Sequence, residues 1–174
     1  VYYLGTKSEW ESITIDEGNA DLLNATIHYA QPEATPAPTE SPYVAEGTCG
    51  ENLTWTLDGD GVLTISGTGE MRLYSTRPWE EHIESIISVI IENGVTSIQQ
   101  KAFSDYPNLI SVQIPNSMVS IGVVAFEWCT SLANINIPNS VTTIGLRAFE
   151  GCSNLSNINI PNSVINIGQG AFYG

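Results

Sequence analysis

Residues 155–172 read L-S-N-I-N-I-P-N-S-V-I-N-I-G-Q-G-A-F, and the same pattern returns every 23 residues towards the N-terminus. The interval separates all four phenylalanines of the chain, which are Phe103, Phe126, Phe149 and Phe172. It also separates Pro115, Pro138 and Pro161; Leu109, Leu132 and Leu155; Gly122, Gly145 and Gly168; and Ile98, Ile121, Ile144 and Ile167. A fixed period of roughly 20–50 residues indicates a solenoid of stacked coils, since no single coil can bury its apolar face alone.

The quoted stretch also predicts how one coil folds. Side chains alternate along a strand, so L-x-x-I-x-I directs its apolar residues to one side, and Pro161 ends the strand because it has no N–H to donate. The following Gly-x-x-Ala-Phe segment is predicted to form a short helical turn whose Phe172 closes the core. The residues predicted to point inwards are Leu155, Ile158, Ile160, Val164 and Ile167.

The repeat pattern extends over residues 83–174, with a divergent first copy in which Glu92 replaces the proline. Residues 137–152, I-P-N-S-V-T-T-I-G-L-R-A-F-E-G-C, closely resemble the BspA-type leucine-rich repeats of bacterial surface proteins. The resemblance implies an α/β leucine-rich-repeat solenoid, β-rich with short helical turns. It also implies a non-enzymatic module, extracellular or on the bacterial cell surface, that adheres to a protein or glycan ligand of host or bacterial origin.

The segments before the repeats predict three further parts. Residues 45–82 predict a β-hairpin and a short helix that cap the array N-terminally, because alternating apolar residues flank the turn sequence D-G-D-G. Residues 31–44 contain four prolines and predict an extended linker. Residues 1–30 resemble the tail that closes a preceding array in this family, with Val1 and Tyr3 at strand positions and Ser8 opening a short helix. The last coil lacks a cap, so we expect the array to be truncated at Gly174 and to continue in the intact protein.

Composition excludes several partners. The net charge is -14 with only five Lys and Arg residues, so clustered cations for nucleic acid or for anionic membrane surfaces are missing. No apolar run is long enough to cross a bilayer, so we expect no membrane insertion by this segment.

Side chains capable of chemistry favour structural interpretations. Asp58 and Asp60 imitate part of a calcium loop, but the strand begins too soon for further oxygen ligands, which favours a tight turn. Glu80, Glu81 and His82 are adjacent on a short helix, which favours a solvated face over acid–base work. His28 has no second ligand at metal spacing, so a surface histidine is favoured. We predict no catalytic residue, no metal and no cofactor.

The three cysteines, Cys49, Cys129 and Cys152, are predicted to be packed, reduced thiols. Cys129 and Cys152 occupy equivalent positions of neighbouring coils, with Cα atoms about 5 Å apart, which is inside the disulfide window. Their Cβ vectors should nevertheless run parallel, which favours free thiols and leaves the disulfide as the alternative.

The candidate ligand-binding site is the outward face of the strand ladder. Small polar residues form two columns there, suited to hydrogen bonding a peptide or glycan. The competing interpretation of the site is that these side chains only form hydrogen bonds with one another. Two alternatives exist for the whole module: an accessory or spacer of a larger secreted hydrolase, or a structural stalk. The candidate residues are Ser88, Ser111, Gln113, Asn134, Asn136, Asn157 and Asn159.

Overall fold

The computed structural model describes residues 2–3, 7–14, 26–29, 42–73, 76–156 and 158–174. The chain divides into two compact units, Val1–Glu40 and Ser41–Gly174. In the first unit, strand β1 (Tyr2–Tyr3) pairs in parallel with β2 (His28–Tyr29), and helix α1 (Lys7–Glu11) lies between them in sequence. Helix α1 begins one residue before the predicted start at Ser8, and Val1 lies outside the described residues.

The second unit begins with a cap of three antiparallel strands, β3 (Tyr43–Thr48), β4 (Asn52–Asp58) and β5 (Val62–Glu70). Strands β4 and β5 form the hairpin that the sequence predicts. Strand β3, which the sequence did not predict, pairs with β4. The structure corrects the linker boundary at 31–44, because Tyr43 already pairs with Asp58; the linker residues before Pro42 are not described. Gly47 lies opposite Trp55, and a Cβ there would stand 2.8 Å from the indole nitrogen, so the strand packs closely on the ring.

Strand β5 joins the cap to the repeats in two places. Its first half, Val62–Ile65, pairs in parallel with β6 (Ser88–Ile91). Its last two residues, Gly69 and Glu70, pair in parallel with β7 (Val95–Ile98). One strand of the cap therefore begins both parallel ladders of the solenoid.

The repeats stack as four coils, and we call them the first to the fourth. They begin at residues 86, 109, 132 and 155. The first ladder runs from β6 through β8 (Ser111–Gln113) to β10 (Asn134–Ile135). The second runs from β7 through β9 (Ser120–Ile121) and β11 (Thr143–Ile144) to β12 (Asn166–Ile167). Partners are one repeat apart in sequence, as in Ser97 with Ser120, so equivalent positions form columns along the solenoid.

The Gly-x-x-Ala-Phe segments form turns, and no described residue of the four coils lies in a helix, so the predicted helical turn is wrong. The reason is a backbone in the left-handed region at Lys101, Val124 and Arg147, whose φ angles are 60°, 48° and 53°. Every second N–H group of the segment therefore donates to the next coil, and the N–H groups between them bond within the turn. Phe103 donates to the carbonyl of Ala125 at 2.8 Å, and Phe126 to that of Ala148 at 2.8 Å. The short helix predicted before residue 82 is present as the 3-10 helix Glu80–His82.

An aromatic column runs through the core. The rings stack at centroid distances of 5.3–5.5 Å and lie within 13° of parallel. Its first member is Trp79 of the cap, whose indole N–H donates to the carbonyl of Ala102 at 3.2 Å. The cap thus continues the core of the repeats, as predicted. The members are Trp79, Phe103, Phe126, Phe149 and Phe172.

In the last coil, three of the residues predicted to point inwards, Leu155, Ile158 and Val164, are partly buried against the core, and the other two are exposed. Ile160 is 41% exposed and Ile167 is 49% exposed, whereas their equivalents Ile137 and Ile144 in the third coil are buried. The sequence pattern is the same, but no described residue covers the outer side of the last coil. Burial at these positions therefore depends on a neighbouring coil.

Candidate functional site

The predicted ligand-binding residues lie on one surface, the outward side of the first ladder, which we call the strand face. Their side chains point outwards because the alternate residues, Val89, Val112 and Ile135, are buried in the core. Ser88 is partly buried, and the other described members are exposed: Ser111, Gln113, Asn134, Asn136 and Asn159. Asn157 lies outside the described residues.

A shallow depression of about 520 Å³ lies on the strand face. Its walls are formed by outward side chains of the second, third and fourth coils, and its floor includes Val112 and Ile135. Such a depression is open enough for an extended chain and too shallow to enclose a small molecule. The predicted residues that line it are Ser111, Gln113, Asn134, Asn136 and Asn159.

Two serines on the strand face form a hydrogen bond with each other. The hydroxyl oxygens of Ser88 and Ser111 lie 3.0 Å apart, within hydrogen-bond distance. At these two serines the structure fits the competing interpretation, in which column members bond one another. The amide side chains of Gln113, Asn134 and Asn136 stand further along the same face and carry both donors and acceptors.

The strand face continues onto the cap, which sequence reasoning missed. Thr64 of β5 pairs with Ile90, and Thr56 of β4 pairs with Thr64. Their side chains therefore extend the column of Ile90, Gln113, Asn136 and Asn159. The alternation of Thr56 and Thr64 with buried Trp55 and Leu63 was visible in the sequence. What could not be read was the parallel pairing of β5 with β6.

The strand face carries no Lys or Arg among the described residues of β4, β5, β6, β8 and β10. Its hydrogen-bonding groups are hydroxyls and amides, with Asp58 at the far end of β4. The face therefore suits a neutral, hydrogen-bonding ligand better than an anionic one.

The other candidate groups take structural roles. The carboxylate of Asp58 accepts hydrogen bonds from the N–H groups of Asp60 at 3.0 Å and Val62 at 2.9 Å, which is the predicted tight turn. Glu80 pairs with Arg77, whose hydrogen bond lowers the pKa of Glu80. His28 is exposed on β2, and His82 lies near the ring of Trp55. Among the described residues, no group of His, Cys, Asp and Glu side chains is placed to hold a metal ion.

All three cysteines are free and buried, as predicted. Two of their thiols form a ladder of their own, in which Cys129 donates to the carbonyl of Phe103 at 2.9 Å and Cys152 to that of Phe126 at 3.1 Å. Burial raises the pKa of Cys49 to about 12 and that of Cys152 to about 11, and it also raises the pKa of Cys129. Neutral thiols are poor nucleophiles, so these cysteines pack like small apolar residues.

Arg77 is a structural residue that sequence reasoning missed. Its guanidinium forms two hydrogen bonds with the carboxylate of Glu80 and another with the carbonyl of Ser104 in the first coil. It also lies 5.2 Å from the centroid of the Tyr106 ring. Arg77 and Trp79 together fasten the cap to the repeats.

Known proteins share this architecture. A leucine-rich repeat protein from Eubacterium ventriosum is 30% identical, with a TM-score of 0.58 over 71% of this chain and 40% of its own. The leucine-rich repeat protein of T. pallidum is 29% identical, with a TM-score of 0.54 over 72% of this chain and 66% of its own. This chain therefore spans less than two thirds of the length of either protein. No curated protein matches it.

The family comparison agrees with the repeats. Residues 81–174 match the model of the BspA type leucine rich repeat region in six copies. Leucine-rich repeats of this kind are generally non-catalytic and suggest a protein-interaction module. No described helix is both long and apolar enough to cross a membrane. Over more than half of its length, this chain belongs to the BspA-type leucine-rich-repeat family.

Proposed function

We propose that this chain is an adhesion module of the bacterial cell surface that binds an extended protein or glycan ligand on the strand face. The observation that supports the proposal best is the shallow depression of about 520 Å³ lined by Ser111, Gln113, Asn134, Asn136 and Asn159. Exposed amide and hydroxyl groups stand there on a rigid ladder, where many weak hydrogen bonds can act together.

The chemistry of the face supports a neutral ligand. A peptide backbone and a sugar both present alternating donors and acceptors, and each matches the paired N–H2 and carbonyl groups of Asn and Gln. The absence of Lys and Arg from the described strands of this face disfavours nucleic acid and other polyanions. Continuation of the face through Thr64 and Thr56 lengthens the surface available to an extended ligand.

The test is a binding screen of the whole chain against an oligosaccharide array and a panel of extracellular-matrix proteins. Each hit is measured again with the double variant Asn134→Ala/Asn136→Ala. Two well-formed hydrogen bonds are worth about 1 kcal/mol each, so we expect binding to weaken roughly tenfold or more.

The matched control is Asn139→Ala/Asn162→Ala, which removes two exposed asparagines from the turns that follow Pro138 and Pro161. Equal loss of binding in both double variants would contradict the proposal. Hits that bind the Asn134→Ala/Asn136→Ala variant at full strength, with folding intact, would instead favour a stalk or an accessory module of a larger secreted hydrolase.

A further inference from the structure

Trp128 occupies an unusual position for a tryptophan. Its side chain is 51% exposed, and its backbone has a φ of 59°, in the left-handed region. The equivalent residues of the other coils are Asp105, Gly151 and Gly174, all with positive φ. Asp and Gly tolerate this conformation, whereas a bulky aromatic residue does not favour it.

The indole of Trp128 is held in place by its neighbours. Its six-membered ring lies over Gly151, where an added Cβ would stand 2.8 Å from the indole carbon Cδ2. The backbone N–H of Trp128 donates to the backbone carbonyl of Glu150 at 2.7 Å, which fixes this part of the chain to the next coil. The result is a fixed aromatic side chain on a residue that is about half exposed to solvent.

The fold itself does not require this ring. Phe126 and Cys129 of the same coil are fully buried and close the core beneath the turn. The aromatic column passes through Phe126 without contribution from Trp128. An exposed, fixed aromatic ring in an unfavourable backbone conformation is the kind of outlier that concentrates at functional sites.

Acidic residues neighbour Trp128 along the chain and in the adjacent coils. Asp105 holds the equivalent position in the preceding coil and donates its N–H to the carbonyl of Glu127 at 2.8 Å, and Glu127 directly precedes Trp128. Glu150 lies on the other side, and the nearby cation Arg147 is already paired with it at 3.2 Å. The face of an indole attracts cations, and the net charge of -14 draws cationic partners to the molecule.

We propose that Trp128 is a second binding site, on the turn segment and separate from the strand face, that takes the cationic side chain of a protein partner. A Lys or Arg side chain lies on the open face of the indole, beside Asp105 and Glu127. The site does not depend on the function proposed for the strand face.

The test measures binding of fluorescein-labelled tetralysine amide to the whole chain by fluorescence anisotropy at low salt. We expect Trp128→Gly to weaken binding roughly tenfold, the size of a partly desolvated cation–π contact. The variant should keep its circular dichroism and melt within about 4 °C of the wild type, because glycine already occupies the equivalent Gly151. Asn134→Ala/Asn136→Ala, on the strand face, should bind tetralysine normally.

Equal tetralysine binding by the wild type and Trp128→Gly would overturn the proposal, and so would no binding by the wild type. Binding of a neutral chitin tetrasaccharide that depends on Trp128, without binding of tetralysine, would also overturn it and identify a sugar site. Should Trp128→Gly fail to fold, Trp128→Asn replaces it, because asparagine tolerates positive φ.

Discussion

The first and last coils of the solenoid have nearly the same residue pattern and very different surroundings. In the first coil, Ile91 and Ile98 are buried between the cap and the second coil. In the last coil, the equivalent Ile160 and Ile167 are 41% and 49% exposed. The repeat therefore specifies which side chains point inwards, while the neighbouring coil or cap determines how much surface they bury. Stability in such an array is approximately the sum of the coils and their interfaces.

The aromatic column gives the largest expected difference between a closed and an open position. Phe126 is stacked between Phe103 and Phe149, whereas Phe172 stacks on Phe149 alone among the described residues and is only partly buried. We expect Phe126→Ala to lower the free energy of unfolding by about 4 kcal/mol and Phe172→Ala by about 1–2 kcal/mol. Urea unfolding followed by circular dichroism measures both, and equal losses would refute the dependence on neighbours.

The glycine column tests how tightly one coil lies on the next. A Cβ at Gly145 would stand 2.5 Å from the carbonyl carbon of Gly122, so Gly145→Ala must push two coils apart. We expect a loss of about 2–3 kcal/mol, typical of overpacking. Gly59→Ala in the cap turn is the control, because nothing lies within 4 Å of its added Cβ. A harmless Gly145→Ala would show that the coils can separate.

Arg77 tests whether the cap protects the first coil. Arg77→Ala removes the hydrogen bonds to Glu80 and Ser104 and the packing against Tyr106, and we expect it to lower the free energy of unfolding by about 1–2 kcal/mol. Lysine cannot reproduce the forked geometry, so Arg77→Lys should recover little. Hydrogen exchange should speed up in β6 and β7 and remain unchanged in β12; exchange that rises equally everywhere would contradict a local role.

The thiols give a smaller effect that depends on pH. The folded pKa values of Cys49 and Cys152, about 12 and about 11, lie above the ordinary value of 9.0. Between pH 9 and these values, the unfolded chain has lost the thiol protons that the folded chain still holds. Their contribution to the free energy of unfolding is complete below pH 9 and is lost as the pH rises through 9 towards 11–12. Cys49→Ala/Cys152→Ala should flatten the fall in melting temperature above pH 9, and an unchanged slope would exclude the thiols as its cause.

The periodicity predicted most of the repeat core because every coil reuses the same positions. Met118 and Val141 are buried as their place in the pattern requires, and the candidate site residues other than undescribed Asn157 share one face. That they bind a ligand stays a prediction, and the Ser88–Ser111 hydrogen bond shows that part of the column satisfies itself.

The features that the sequence did not predict depend on backbone conformation and on long-range pairing. Lys101, Val124 and Arg147 adopt positive φ although they are not glycine. The sequence therefore contains no glycine at these positions that would have predicted the turns. The double pairing of β5 joins residues that belong to different kinds of sequence pattern. Local propensity contains no information on either, because the neighbouring coil stabilises the conformation.

Strand β5 has a consequence for how this molecule can change length. Strand β5 pairs with the first strand of both ladders, so the cap sets the cross-section of the solenoid. Each further coil keeps this cross-section because it pairs in register with the coil before it. An in-frame duplication of one repeat would therefore extend the strand face by one strand spacing, about 4.8 Å, without requiring any new contact chemistry. The reach of the surface can evolve independently of the fold that supports it.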